Sequence, residues 1–162
     1  MTNAGPKVLE YNVRFGDPET QAIIVRLKTD LVDICEAMLG IVQGASFSSS
    51  VERDSSRTLD DLDIQWQTGN SACIVLASEG YPGKPRTGDV INGLGKANAH
   101  ETVVVFHAGT AFDNERSFVT AGGRVLGVTS TGTDLHSALN TAYSAVTDIS
   151  WPGMQYRRDI GQ

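Results

Sequence analysis

Between residues 71 and 129 the apolar side chains come in short runs punctuated by glycine, and from residue 135 their period lengthens to that of a helix. No other feature constrains the fold as much. Ser71-Ala72-Cys73-Ile74-Val75-Leu76-Ala77-Ser78 is a partly β-branched apolar run with the length of a strand. Thr102-Val103-Val104-Val105-Phe106-His107 is a second such run, and Gly80-Tyr81-Pro82-Gly83 between them is a turn. Residues 117–121 and 124–129, separated by Gly122-Gly123, read as a hairpin closed by two glycines. Leu135, Ala138, Leu139, Ala142, Ala145, Val146 and Ile149 then share one helical face, with Thr133 or Asp134 as the cap. Residues 154–160 read as a closing extended segment. Strands joined by short turns, then a helix with one apolar face, predict an α+β fold. In it a mostly antiparallel sheet carries the helix near 134–148.

The first part of the chain has a different texture. In residues 8–14 side chains alternate: Tyr11 and Val13 share one side, and Glu10, Asn12 and Arg14 the other, as in a strand. Asp17-Pro18-Glu19 is a helix start, with Asp17 able to cap and Pro18 suited to the first helical position. Ile24, Leu27, Leu31, Ile34 and Met38 follow a helical period. Thr29-Asp30 supplies a second cap, dividing this stretch into two helices that Gly40 or Gly44 closes. Six serines then fall between Ser46 and Ser56, the composition of a surface loop or linker. The predicted division is 1–44, a linker over 45–58, and a second domain over 59–162.

A chain of 162 residues with 40% hydrophobic and 20% charged residues can bury a core. No apolar run approaches the ~18 residues of a membrane span. The N-terminus lacks the basic-then-apolar pattern of a signal peptide. Net charge is −6, without a basic stripe, so neither nucleic acid nor an anionic membrane is an expected partner. Cys35 and Cys73 sit in apolar runs outside any C-x-x-C pair, which predicts buried reduced thiols and a cytoplasmic location.

Glu10, Asn12 and Arg14 carry the clearest chemistry. Period-2 spacing aims them one way, about 6.5–7 Å apart. A carboxylate and an amide oxygen are hard donors suited to Mg²⁺, and an arginine one step on can grip phosphate bidentately. The same spacing also describes a half-exposed strand with a polar outer face. The other polar candidates have plainer readings. Asp17 and Glu19 suit capping and dipole complementarity, and Gly80 to Gly83 a turn. His107 reads as a hydrogen-bonded histidine, Arg157 and Arg158 as surface charges, and Trp66 and Tyr81 as buried packing.

The longer string Pro6-Lys7-Val8-Leu9-Glu10-Tyr11-Asn12-Val13-Arg14-Phe15-Gly16-Asp17-Pro18-Glu19-Thr20-Gln21 resembles the end of the ATP-grasp domain of phosphoribosylamine–glycine ligase, or glycinamide ribonucleotide synthetase. The resemblance continues in order through Ala77-Ser78-Glu79-Gly80-Tyr81-Pro82-Gly83, Gly88-Asp89-Val90-Ile91, Phe106-His107-Ala108-Gly109-Thr110 and residues 122–129. It ends with residues 154–161, similar to the family's C-terminal signature, and so covers nearly the whole chain.

The resemblance implies that 1–44 ends an ATP-grasp domain with its terminal strand and helices. It implies that 59–162 is a C-domain of the rudiment single hybrid motif, like that of biotin carboxylase. It further implies a ligase of de novo purine (IMP) biosynthesis that joins 5-phosphoribosylamine and glycine using ATP, giving glycinamide ribonucleotide, ADP and phosphate. By the same resemblance Glu10 and Asn12 are ligands of Mg²⁺ or Mn²⁺. Arg14, beside them, is assigned a phosphate or acyl-phosphate contact. The family's chain is longer, and the lobes that hold the nucleotide lie upstream of this segment. The expectation is therefore an enzyme piece, inactive alone, whose partners are those upstream domains or a second copy. Two alternatives stand beside it: a non-catalytic interaction module, and a weak Mg-nucleotide binder.

Overall fold

The structure, a computed structural model, describes residues 5, 7–8, 11–39 and 59–162. Ten elements run in order: α1 (Glu19–Ile24), α2 (Leu31–Leu39), a 3₁₀ turn (Leu59–Asp61), β1 (Asn70–Ala77), α3 (Leu94–Ala97), β2 (Val103–His107), β3 (Thr110–Phe112), β4 (Phe118–Thr120), β5 (Arg124–Gly132) and α4 (Leu135–Asp148). Every strand pairing is antiparallel, so the expected α+β class and antiparallel sheet are present.

β5 is the middle of a three-stranded sheet in the order β1-β5-β2. Its central position explains why residues 125–130 are all buried, with no alternation. The face carrying Ala72, Ile74 and Leu76 of β1, Leu126 and Val128 of β5, and Val103 and Val105 of β2 is closed by α4. α4 contributes Ala138, Ala142, Ala145 and Val146 to this core, three of them small enough for helix and sheet to approach closely. Removing side chains the size of Ile74 or Leu76 from water stabilises the fold by about 1.5–3 kcal/mol each. Ser130, buried in the same face, donates its hydroxyl to the Ala138 carbonyl, so its polar atom is satisfied.

α4 starts where predicted. Asp134 accepts from the Ser137 amide at 2.7 Å while the Ser137 hydroxyl accepts from the Asp134 amide at 3.1 Å, a reciprocal capping box. The extended reading of residues 154–160 holds only at Gln155, which bridges Ala77 beyond a register shift in β1; residue 158 bends and 160 lies in a turn.

The predicted hairpin does not form. Both strands exist, but β4 pairs with β3 while β5 pairs with β1 and β2. Gly122 and Gly123 form the passage between two sheets. Gly109 lies against Gly122 so closely that a Cβ on Gly109 would sit 2.8 Å from the Gly122 Cα. The strand expected over 8–14 is also not assembled. Among its described residues, 8, 11 and 12 have no regular structure and 13 and 14 bend. A strand exists by pairing, and no described strand flanks this segment.

The split into two helices at Thr29-Asp30 is correct, with the Asp30 carboxylate accepting from the Val32 amide at 2.8 Å. Asp17, however, does not cap α1. The cap position is Pro18, without a side-chain bond. Both cysteines are free: Cys35 is exposed, since α2 buries only Ala37, and Cys73 on β1 is half-buried. Trp66 and Tyr81 are likewise partly exposed rather than packed inside. Gly40, Gly44 and the serine-rich 45–58 lie outside the described residues.

Candidate active-site wall

Glu10 lies outside the described residues. Asn12 and Arg14 are both exposed on the irregular segment that leads into α1. Asn12 is held by contacts within the chain, and the Arg14 guanidinium donates to the Phe15 carbonyl at 2.7 Å. Thus two of the three predicted side chains face solvent, where a ligand can reach them. Among the described residues no three His, Cys, Asp or Glu side chains converge. What is present is one amide oxygen and one guanidinium: hard donor chemistry on one side, an anion-binding fork on the other.

The segment is tethered three residues after Arg14. Arg124, the first residue of β5, donates to the Asp17 carbonyl at 2.7 Å and lies 3.2 Å from its carboxylate. The other Asp17 oxygen accepts from the Gln21 side chain at 2.8 Å. Asp17 therefore ties three things together: the candidate segment, the first turn of α1 and the central strand of the main sheet. Further along α1, the Ser71 hydroxyl of β1 donates to the Ala22 carbonyl. Thr20 donates both its amide and its hydroxyl to Gly16, closing the turn from within. Nothing in the sequence around Arg124 signalled this role: an arginine after two glycines reads as an ordinary strand start.

α1 rests on the sheet face opposite α4, over Cys73 and Gly127. A Cβ on Gly127 would lie 3.1 Å from the Cys73 sulfur and 4.0 Å from the Gln21 side chain, so this glycine admits the helix. Burial pushes the Cys73 thiol up from its ordinary value. The Thr129 hydroxyl partly opposes this, and the Asp17 and Glu19 carboxylates add to it. Burial thus favours the thiol form of Cys73, which packs between the sheet and α1.

A cavity of about 350 Å³ opens beside the same tether, lined by Val75, Ala77, Tyr81, Arg124, Gln155, Tyr156 and Arg157. Val75 and Ala77 of β1 and the Gln155 that bridges Ala77 all line it. The Tyr81 ring lies where a Cβ on Gly123 would stand, so the predicted turn 80–83 packs against the passage between the two sheets. Arg157 is paired with Asp159 at 2.7 Å, and Arg158 stacks over Tyr156. Both behave as the surface charges expected of them. His107 sits at the surface, bonded to Thr110 and packed on Phe118.

Among known proteins, residues 71–162 match the family described as phosphoribosylglycinamide synthetase, C domain. The chain is 48% identical over 156 residues to a phosphoribosylamine–glycine ligase of Synechocystis sp., aligning 96% of itself with 33% of that protein. It is 42% identical to the chloroplastic phosphoribosylamine–glycine ligase of Arabidopsis thaliana, covering 96% of this chain and 26% of the relative. Its fold matches the crystal structure of phosphoribosylamine–glycine ligase from Thermotoga maritima with a TM-score of 0.68 at 31% identity, over 97% of this chain and 34% of the other. The chain spans about a third of the length of the relatives it matches. Among the described residues no helix is long and apolar enough to cross a membrane.

Proposed function

Because the chain belongs to the phosphoribosylglycinamide synthetase C-domain family, we propose that it is the C-terminal portion of an ATP-dependent ligase and does not turn over alone. The reaction would join 5-phosphoribosylamine to glycine, giving glycinamide ribonucleotide, ADP and phosphate in de novo purine biosynthesis. One observation carries the reading: similarity runs through 96% of the chain, including the segment with Glu10, Asn12 and Arg14, yet reaches only 33% of the relative's length. In this reading residues 1–44 end the ATP-grasp domain, 45–58 link, and 59–162 form the C domain.

The donor set fits a hard divalent cation. A carboxylate at Glu10 and the amide oxygen of the exposed residue Asn12 are one or two protein oxygens of the kind Mg²⁺ takes, with phosphates and water completing its shell. Glu10 and Asn12 would hold Mg²⁺ or Mn²⁺, which when bound neutralises phosphate charge. Arg14 would grip a phosphate or acyl-phosphate oxygen. Its present bond is to an exposed carbonyl, which water replaces at little cost. Arg124, through Asp17, ties the end of that segment to β5.

The test is ADP formation from ATP, glycine and 5-phosphoribosylamine. The chain alone should give none, and activity should appear on adding a polypeptide with the rest of the Synechocystis ligase. No activity with two folded partners would leave the chain a non-catalytic module. In the active mixture Glu10→Gln should abolish most turnover, and Mn²⁺ titration by electron paramagnetic resonance should show weaker binding. Near-normal values in both would remove Glu10 from the metal site.

A further inference from the structure

The cavity of about 350 Å³ lies at the end of the sheet where Ala77 of β1 pairs with Arg124 of β5. That size is near the lower bound of small-molecule sites, about 300–1,000 Å³. Three sequence motifs meet in its lining. Ala77 and Tyr81 come from 77–83, Arg124 from 122–129, and Gln155, Tyr156 and Arg157 from 154–161. The wall at Glu10, Asn12 and Arg14 uses none of them. The chain has a net charge of −6, yet this lining holds two arginines and no carboxylate. Arg124 places two nitrogens on Asp17, and Arg157 two on Asp159. A guanidinium has more N–H donors than these bonds use, so each arginine keeps some for a further anion. The backbone of Arg157 is held by α4, where the Tyr143 hydroxyl donates to its carbonyl at 3.0 Å. Tyr81 and Tyr156 each add an apolar ring with a polar tip. Among the described residues neither of their hydroxyls has a hydrogen-bond partner.

We propose that this cavity binds a pentose carrying a phosphate monoester, with Arg124 and Arg157 taking the phosphate and Tyr81, Tyr156 and Gln155 the sugar. A guanidinium matches phosphate oxygens in pairs. Val75 and Ala77 supply an apolar wall, and the hydroxyls and amide supply partners for a ring with polar edges. The ligase reading offers three substrates. Glycine has no phosphate, and the triphosphate of ATP belongs with the metal at Glu10 and Asn12. 5-Phosphoribosylamine is the one with this chemistry. Asp17, at the other end of the Arg124 tether, follows Arg14 by three residues, which sets the acceptor beside the phosphoryl chemistry. The ligand class rests on the lining alone, whereas its identity as 5-phosphoribosylamine rests on the ligase reading above.

The experiment titrates the full chain with ribose 5-phosphate, inorganic phosphate, ribose and adenosine monophosphate, and follows backbone amides by NMR. Ribose 5-phosphate should shift the amides of Ala77, Tyr81 and Arg157 saturably. Inorganic phosphate should bind at least fivefold more weakly, and ribose should shift none of them. Arg157→Gln, shown to be folded by its melting curve, should weaken ribose 5-phosphate roughly tenfold, the loss of a charge-assisted bond. Arg116→Gln, on the loop between β3 and β4 and away from the cavity, should leave binding unchanged. Four results would overturn the proposal. They are no shift at the cavity, equal binding of inorganic phosphate, tighter binding of adenosine monophosphate, and a loss in Arg116→Gln equal to that in Arg157→Gln. In the mixture with the rest of the Synechocystis ligase, Arg157→Gln should raise the KM for 5-phosphoribosylamine and leave those for ATP and glycine unchanged. Cavity binding without any ADP formation keeps the sugar-phosphate site and removes the ligase reading. ADP formation with that KM unchanged does the reverse.

Discussion

Arg124 does at one residue what the candidate segment cannot do for itself. Its two nitrogens on Asp17 join a carbonyl bond to an ion pair, and the pair is more than a third exposed on both sides. Such a pair contributes about 0.2–1 kcal/mol, too little to unfold the domain but enough to free a short segment. In Arg124→Gln the Thr20 amide, bonded to Gly16 at 3.2 Å, should exchange several-fold faster while β5 amides stay unchanged. Equal rates in variant and parent would show that the tether does not order the segment. Asp134 offers a second test. The Ser137 amide and hydroxyl hold its carboxyl below the ordinary 3.8. A depressed carboxylate pKa gives stability that is present above the unfolded value and is lost as pH falls through the folded one. Asp134→Asn keeps a capping oxygen but cannot titrate. The parent's advantage in Tm over this variant at pH 7 should therefore shrink on going to pH 3.

At the scale of elements, the connection entering α3 is pinned by a glycine. Gly93 has φ +85°, and a Cβ there would sit 1.8 Å from the Asp148 carbonyl at the end of α4. Gly93→Ala should cost about 1–3 kcal/mol from backbone strain alone, read as a lower denaturation midpoint at unchanged m-value. The elements with strong local signals could be read from the sequence: β1, β2, the two N-terminal helices, and α4 with its cap. Pairing could not. Gly122-Gly123 between two apolar runs has the chemistry of a tight turn, yet β5 is long and apolar enough to be the buried middle strand. It therefore pairs with β1 and β2, far away in sequence. β3, only Thr110–Phe112, is too short to show a period. In the candidate site, period-2 spacing singles out Asn12 and Arg14, the resemblance helps give them their roles, and both are exposed. Asp17 was misread because a cap and a tether ask for the same residue before the same proline.

The whole molecule is unevenly stable. β5, β1 and α4 share a core in which Ile74, Val125, Val128, Ala142 and Val146 are fully buried, whereas α1 and α2 bury almost nothing. Hydrogen exchange of the isolated chain should rank the two regions accordingly: β5 amides open only by global unfolding, and α1 and α2 amides open earlier. Coincident rates would mean that the N-terminal helices are integral to the core.

The same core has an order of assembly written into its connections. Ala77 and Gln155 exchange backbone hydrogen bonds at 2.8 and 2.9 Å, and Asn92 and Ser150 do so at 3.0 and 3.2 Å. Both seams join early parts of the domain to residues made much later. A ribosome making this chain emits β1 well before β5, and β5 before the tail that seals the edge of β1. The edge of β1 thus stays unsealed until Gln155 has emerged. Until then its apolar strands wait in the open, the stage at which an unpaired edge is most prone to wrong pairing.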